Sequence, residues 1–144
     1  MKDTVGLLQS CHRGTITAVN SLEQVVERAQ NPELEQRLQT TLTRHRALGE
    51  DVGIRLKELK EAPEDPNPMA KTMTRAVTGM RLMVSDDDRD HAIATMVING
   101  CNTGIQELSA DINRFRNASV DTRDLATALI REEQRLMDDL RLYL

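Results

Sequence analysis

The stretch NPELEQRLQTTLTRHRALGEDV, at positions 31–52, decides the fold class of this chain. It begins with Asn31-Pro32, a helix N-cap residue followed by proline in the first turn, and Glu33 then complements the positive end of the helix dipole. Apolar residues follow at spacings of three and four, which is the periodicity of one buried face of an α-helix. This seam contains Leu34, Leu38, Leu42, His45, Leu48, Val52, Leu56 and Leu59. His45 therefore takes a position where the pattern calls for an apolar residue, and it is the first candidate for a functional side chain.

The rest of the chain repeats this helical pattern. Asn67-Pro68 gives a second N-cap and proline signal, and no segment alternates apolar and polar residues as a strand does. At a rise of 1.5 Å per residue, the longer helices would span about 35–43 Å. We predict an all-α four-helix bundle, with a short additional helix in the crossover between the second and third long helices, as a single domain over residues 1–144. The predicted helices cover about 3–30, 32–60, 68–83, 86–116 and 120–143.

The composition supports a folded helical protein and excludes several functional classes. Hydrophobic residues make up 39% and charged residues 29%, and the aromatic residues are Phe115 and Tyr143, so aliphatic side chains and methionine must fill the core. The formal charge is −4 with the two signs interspersed, which leaves no basic stripe for nucleic acid. No apolar run is long enough for a membrane span. We expect neither nucleic acid nor a membrane as a partner.

The N-terminal residues and the cysteines indicate a compartment. MKDTVGLLQS, at positions 1–10, lacks the architecture of a signal peptide, so a cytoplasmic location is expected. Cys11 and Cys101 lie far apart in the sequence, and we expect both to be free thiols.

Glycines stand inside the predicted helices. Gly49 and Gly53 belong to the second predicted helix, and Gly100 and Gly104 to the fourth. A helical glycine costs about 1 kcal/mol relative to alanine. We therefore expect a neighbouring helix to approach closely at these positions.

A weak internal repeat relates the two halves of the chain. At an offset of 86 residues Thr15 falls on Cys101, and at an offset of 87 His45 falls on Glu132. Such a repeat predicts two helical hairpins joined by residues 62–85, a connection long enough to cross the length of a bundle. Any two amphipathic helices share some periodicity, so duplication and coincidence both remain open.

Four parts of the chain resemble the ferritin-like superfamily. They are RGTITAVNSLE (13–23), the stretch at 31–52, the proline-containing connection, and NGCNTGIQELSADI (99–112). Together they span nearly the whole chain, and they are most similar to a bacterial family of ferritin-like four-helix bundles that is catalogued only as a domain of unknown function. The resemblance implies that the bundle is ferritin-like.

Metal-loaded members of that superfamily bind two metal ions, with one Glu from each of two helices and a Glu-x-x-His motif from each of the other two. At the corresponding positions this chain has Thr15, Cys101, Leu42-x-x-His45 and Leu129-x-x-Glu132. The di-metal ligands are thus largely missing. The resemblance therefore implies neither a di-iron oxidase nor a catalytic residue.

A reduced site is the first alternative. His45, Cys101, Glu132 and Thr15 would lie near one level of the interior, and they could hold a single transition metal, Zn or Fe. The same residues could instead form hydrogen bonds with one another and need no cofactor, which is the outcome we expect. A second alternative is a histidine phosphotransfer domain that uses His45. That function needs an imidazole facing solvent, whereas His45 lies on the apolar seam.

The sequence as a whole predicts a non-catalytic bundle that acts as a binding or structural module. The expected partners are a second copy of the chain, in a homodimer formed through one bundle face, and another protein. No cofactor is expected unless the reduced metal site exists.

Overall fold

The structure, a computed structural model, describes residues 1–64 and 88–144. Within these two ranges every regular element is helical. The long helices are α1 (Lys2–Val26), α2 (Pro32–Glu58), α3 (Arg89–Arg114) and α4 (Val120–Leu140), and a 3₁₀ turn (Arg141–Tyr143) follows α4. The predicted all-α four-helix bundle is confirmed.

The helix ends follow local sequence signals. At the start of α2 the Asn31 side chain accepts a hydrogen bond from the Glu33 N–H at 2.8 Å, and proline takes the first helical position, as expected. α1 ends at Val26 rather than near residue 30, and α3 begins at Arg89 rather than near residue 86. The predicted short helix over 68–83 lies outside the described residues.

Backbone groups of the α1–α2 turn are bound by α3. The Asp90 carboxylate, in the first turn of α3, accepts hydrogen bonds from the Gln30 and Asn31 N–H groups at 2.7 and 2.9 Å. The start of α3 therefore lies beside the end of α1, and these two helices are antiparallel. We call this end of the bundle the upper end.

The α3–α4 turn is bound in the same way by the first turn of α1. The Asp3 carboxylate accepts from the Asn117 N–H, and the Thr4 hydroxyl accepts from the Ser119 N–H, both at 2.9 Å. Asp90 follows Asp3 by 87 positions, so the offset of the sequence repeat also relates the two carboxylates that bind the turns. Each hairpin thus holds the turn of the other, as an internal duplication predicts. We call this end the lower end.

The direction of α2 determines the path of the connection to α3. Arg37 Nη1 lies 3.2 Å from Asp139 Oδ1, and Arg44 Nη1 lies 3.7 Å from Glu132 Oε2, so α2 and α4 are antiparallel. α2 therefore ends at the lower end, whereas α3 begins at the upper end. The chain between them joins opposite ends of the bundle, over about 40 Å at 1.5 Å per residue. The two hairpins are therefore joined by a single long crossover, which the length of residues 62–85 allowed but did not decide.

The apolar core consists of two clusters with polar side chains between them. The upper cluster contains Leu22, Val25, Val26, Leu34, Leu38, Leu42, Ile93, Ala94, Val97, Cys101, Leu136 and Leu140. The lower cluster contains Leu7, Leu8, Cys11, Val52, Leu56, Ala118, Leu125, Ala126 and Leu129. Between the clusters lie Thr15, His45 and Glu133, and together with Cys101, the member of the upper cluster that lies beside Glu133, we call them the polar layer.

Candidate functional site: a buried polar layer

His45 lies at the centre of the polar layer. The seam of α2 turns its ring inward, and only 1% of the residue remains exposed. Nδ1 lies 2.9 Å from the carbonyl oxygen of Thr41, one turn earlier in the same helix, and Nε2 is hydrogen-bonded to Glu133 Oε1 on α4. Both ring nitrogens of His45 are therefore occupied.

The partners of His45 determine its charge. A carbonyl oxygen and a carboxylate can only accept hydrogen bonds, so both ring nitrogens must donate, and the ring that satisfies both is the imidazolium. Burial lowers the pKa of His45, but the hydrogen bond and the charge of Glu133, aided by Thr41 and by the charge of Glu132, raise it by more. The pKa of His45 thus lies above its ordinary value, and His45 and Glu133 form an ion pair whenever the ring is protonated.

Cys101 approaches the same carboxylate from α3. The residue is 3% exposed. Burial raises the pKa of its thiol, and the charge of Glu133 and a hydrogen bond to that carboxylate raise it further. The thiol therefore stays protonated and donates to Glu133. Cys11 is similar, since burial and the charge of Asp111 raise its pKa to about 12. Neither cysteine is therefore an activated nucleophile in this structure.

The carboxylate of the layer belongs to Glu133, whereas the sequence repeat assigned this place to Glu132. Glu132 is as buried as Glu133, with 15% and 16% of the side chains exposed, but it faces arginines at the rim of the α2–α4 contact. Its Oε1 accepts from Arg135 Nη1 at 2.9 Å, and its Oε2 lies 3.7 Å from Arg44 Nη1. Successive residues of a helix are separated by about 100° around its axis. A shift of one position therefore exchanges a carboxylate that pairs with the rim arginines for one that pairs with His45.

Thr15 is buried as predicted, but its contacts lie within α1. Its hydroxyl is 2.9 Å from the His12 carbonyl oxygen and 3.0 Å from that of Cys11, both in its own helix. A Cβ added to Gly49 would lie 3.5 Å from Thr15 Oγ1, so Thr15 faces α2 one turn away from His45. Its role in the layer is to fill the space beside a glycine.

The structure thus brings together two of the four predicted site residues. His45 and Cys101 both contact Glu133, while Thr15 and Glu132 point elsewhere. In the part of the chain that the structure describes, no group of three or more His, Cys, Asp or Glu side chains could hold a metal ion. The single-metal site stays a prediction. The phosphotransfer alternative is contradicted, because a buried imidazole with both nitrogens bonded cannot meet a phosphodonor.

A cavity of about 670 Å³ lies between α1 and α3. His45, Cys101 and Glu133 form part of its inner wall, and Glu107 and Asp111 lie on the α3 side. Burial and the nearby charge of Asp111 raise the pKa of Glu107. The volume is within the range of small-molecule sites, about 300–1,000 Å³. The polar layer is therefore connected to a space that could receive a ligand.

Over residues 1–64 and 88–144, none of the helices is both long enough and apolar enough to cross a bilayer.

Comparisons with known proteins show the family and the fold of the chain. The family model described as "Domain of unknown function (DUF2383)" matches residues 3–113. Among solved structures, the chain is similar to YcfI from Rhodopseudomonas palustris, described as a proposed structural protein, with a TM-score of 0.77 and 18% sequence identity over 93% of this chain and 89% of that one. At that identity the likeness shows the fold alone. No curated protein matches the chain.

Proposed function

Since this chain belongs to the family Domain of unknown function (DUF2383), we propose that it is a non-catalytic binding or structural module built on a ferritin-like scaffold. The single crossover between antiparallel hairpins supports the ferritin-like assignment, because ferritin-like bundles are connected in this way. The reciprocal binding of the two turns, by Asp3 and Asp90, supports an origin by duplication.

One observation carries the proposal. At the level where the ferritin-like superfamily places metal ligands, His45 and Cys101 both donate hydrogen bonds to Glu133. A metal ion would have to displace the proton on His45 Nε2 and the proton of a thiol whose pKa is raised. The layer is satisfied as a set of hydrogen bonds, and such a set fixes how helices pack.

The structural neighbour adds support of a different kind. YcfI is described as a proposed structural protein, and the two folds correspond over most of both chains. A structural or binding role fits a bundle in which His45 and Glu133 are bonded to each other. A homodimer, a protein partner and a bacterial cytoplasmic setting remain predictions of this proposal.

Elemental analysis tests the proposal most directly. Protein purified without chelators, and then incubated with Zn²⁺ or Fe²⁺ and desalted, should carry far less than one equivalent of any transition metal. Cys101→Ser is the matched variant, because it removes the thiol and keeps a hydrogen-bond donor. A stoichiometric metal that is retained by the wild type and lost in Cys101→Ser would overturn the proposal in favour of the single-metal site. Light scattering on the same sample measures the mass of the particle in solution, and the proposal expects twice the mass of one chain.

A further inference from the structure

The polar layer joins the two hairpins of the bundle. His45 belongs to the α1–α2 hairpin, whereas Glu133 and Cys101 belong to the α3–α4 hairpin. Apolar side chains of α2 and α4 meet in both core clusters, and the other described polar contacts between the two helices are rim ion pairs, such as Arg37 with Asp139, whose side chains are 39% and 38% exposed. Exposed pairs of this kind contribute little. The contact between His45 and Glu133 is therefore the buried polar link across the α2–α4 side of the bundle.

We propose that His45 and Glu133 form a proton-operated latch between the two hairpins, closed while the imidazole carries both protons and released when it loses one. The proposal concerns a conformational device and does not depend on which ligand or partner the module binds.

Loss of one proton must break one of the two hydrogen bonds of the ring. If the remaining proton stays on Nδ1, the Nε2 lone pair faces the Glu133 carboxylate; if it stays on Nε2, the Nδ1 lone pair faces the Thr41 carbonyl oxygen. In either case two acceptors meet in a buried layer, and Glu133 loses its counter-charge. A largely buried carboxylate that has lost its counter-charge is unfavourable even where one hydrogen bond remains, so the α2–α4 contact should loosen.

The polar and charged groups that face His45 favour the protonated ring, and therefore the closed form. On α4, Glu133 and Glu132 stabilise the imidazolium, and on α2 the Thr41 carbonyl does the same. On α3, Cys101 is a neutral thiol that donates to Glu133. Among the described residues of α1, no titratable group contributes to the shift, and Thr15 carries no charge.

The direction of the effect with pH follows from these contacts. The pKa of His45 in the folded protein is raised above 6.5, the ordinary value for a histidine. The stabilisation from the latch is therefore fully present below 6.5 and is lost as the pH rises through the folded pKa of His45. The latch should therefore open at a pH above the ordinary pKa of a histidine.

Release of the latch also changes the cavity. Glu133 and Cys101 lie on the inner wall of the space between α1 and α3. With His45 protonated, that wall presents a neutral ion pair, and without the proton it presents a single negative charge. The latch would thereby couple proton loss to the charge of the cavity.

Thiol labelling measures the latch locally, because the protein carries an internal control. Cys101 lies beside Glu133 in the polar layer, whereas Cys11 lies in the lower cluster and is also buried. Between about pH 6 and about pH 9, the rate for Cys101, corrected for thiolate formation, should rise several-fold relative to that for Cys11. Single-cysteine variants Cys11→Ser and Cys101→Ser identify which thiol reacts. Equal acceleration of both thiols would indicate global unfolding and would overturn the latch.

Two neighbouring carboxylates provide the matched variants. Glu133→Gln removes the charge that pairs with His45, whereas Glu132→Gln removes an equal charge from the rim. Nuclear magnetic resonance of the imidazole in the wild type should show titration above 6.5. Glu133→Gln should lower that midpoint and abolish the pH-dependent labelling of Cys101, while Glu132→Gln should shift the midpoint far less and keep the labelling response. A wild-type midpoint at or below 6.5, or the same response in both variants, would refute the proposal, and the wild-type titration decides even if Glu133→Gln does not fold.

Discussion

The upper apolar cluster and the polar layer beneath it are both buried between the same four helices, but different forces hold them together. In the upper cluster, aliphatic side chains from α1, α2, α3 and α4 lose contact with water, and the stabilisation depends on area and fit. In the polar layer, His45, Glu133 and Cys101 depend on specific donors and acceptors. Removing one partner there leaves a buried polar group without its bond.

This difference shows why one helical seam can carry two kinds of information. Leu42 and His45 are adjacent positions of the α2 seam, and both are nearly inaccessible to water. The leucine contributes stability that many other apolar residues could replace. The histidine donates a hydrogen bond and needs an acceptor at one particular place, so it specifies which residue of α4 lies opposite.

The largest expected effect comes from the upper cluster. Leu38 is completely buried, and Leu38→Ala should lower the free energy of unfolding by about 3–4 kcal/mol, since it removes methyl groups and leaves a cavity. Leu38→Met is the control, and it should cost less than about 1.5 kcal/mol because the volume is kept. Urea unfolding at about pH 6 and about pH 9 should give the same loss at both, because no titrating group is involved. A loss that depends on pH would show that the cluster and the layer are coupled.

The next effect comes from the polar layer and differs in form. His45→Leu should cost about 3 kcal/mol at about pH 6, because it leaves Glu133 without its counter-charge in a largely buried place. The double variant His45→Leu with Glu133→Leu should return to within about 1 kcal/mol of the wild type, since an apolar pair of similar volume can replace an ion pair. Urea unfolding of the two single variants and the double variant gives the coupling energy. Costs that simply add would contradict the described contact.

Periodicity predicts the helices of this chain well and the identity of the interior carboxylate poorly, for a physical reason. Glu132 and Glu133 lie three and four residues after Leu129, and both spacings return to the same side of a helix. The seam therefore admits either residue. The choice is made by the position of α2 along α4, which results from packing between segments far apart in the sequence.

The contacts of the helical glycines also depend on distant segments and are poorly predicted by local spacing. The expected close approach of a neighbouring helix is not found at Gly49, Gly53 or Gly104. A Cβ at Gly49 would meet Thr15 at an ordinary contact distance of 3.5 Å, and a Cβ at Gly53 or Gly104 would have no described neighbour within 4 Å. The tightest contact is at Gly6, which the sequence pattern did not single out. Its neighbour is Phe115, the residue after the end of α3, and no local spacing links the two.

The smallest expected effects come from two glycines, Gly6 against Phe115 and Gly53 in open space. A Cβ at Gly6 would lie 2.5 Å from Phe115 Cε1, so Gly6→Ala must displace an aromatic ring that packs against the lower cluster, and it should cost about 1–2 kcal/mol. Gly53→Ala is the matched control in a helix with open space, and it should stabilise by about 0.5–1 kcal/mol through helix propensity.

Thermal unfolding of the two glycine variants distinguishes packing from propensity. Both replacements remove the same backbone freedom in a helix, so the difference between them measures the steric cost at Phe115. Combining Gly6→Ala with Phe115→Leu should recover part of the loss, because a smaller side chain can make room for the methyl group. Equal stabilisation by Gly6→Ala and Gly53→Ala would contradict this prediction. It would show that the Phe115 ring can move away, and that the lower cluster is loosely packed beside Gly6.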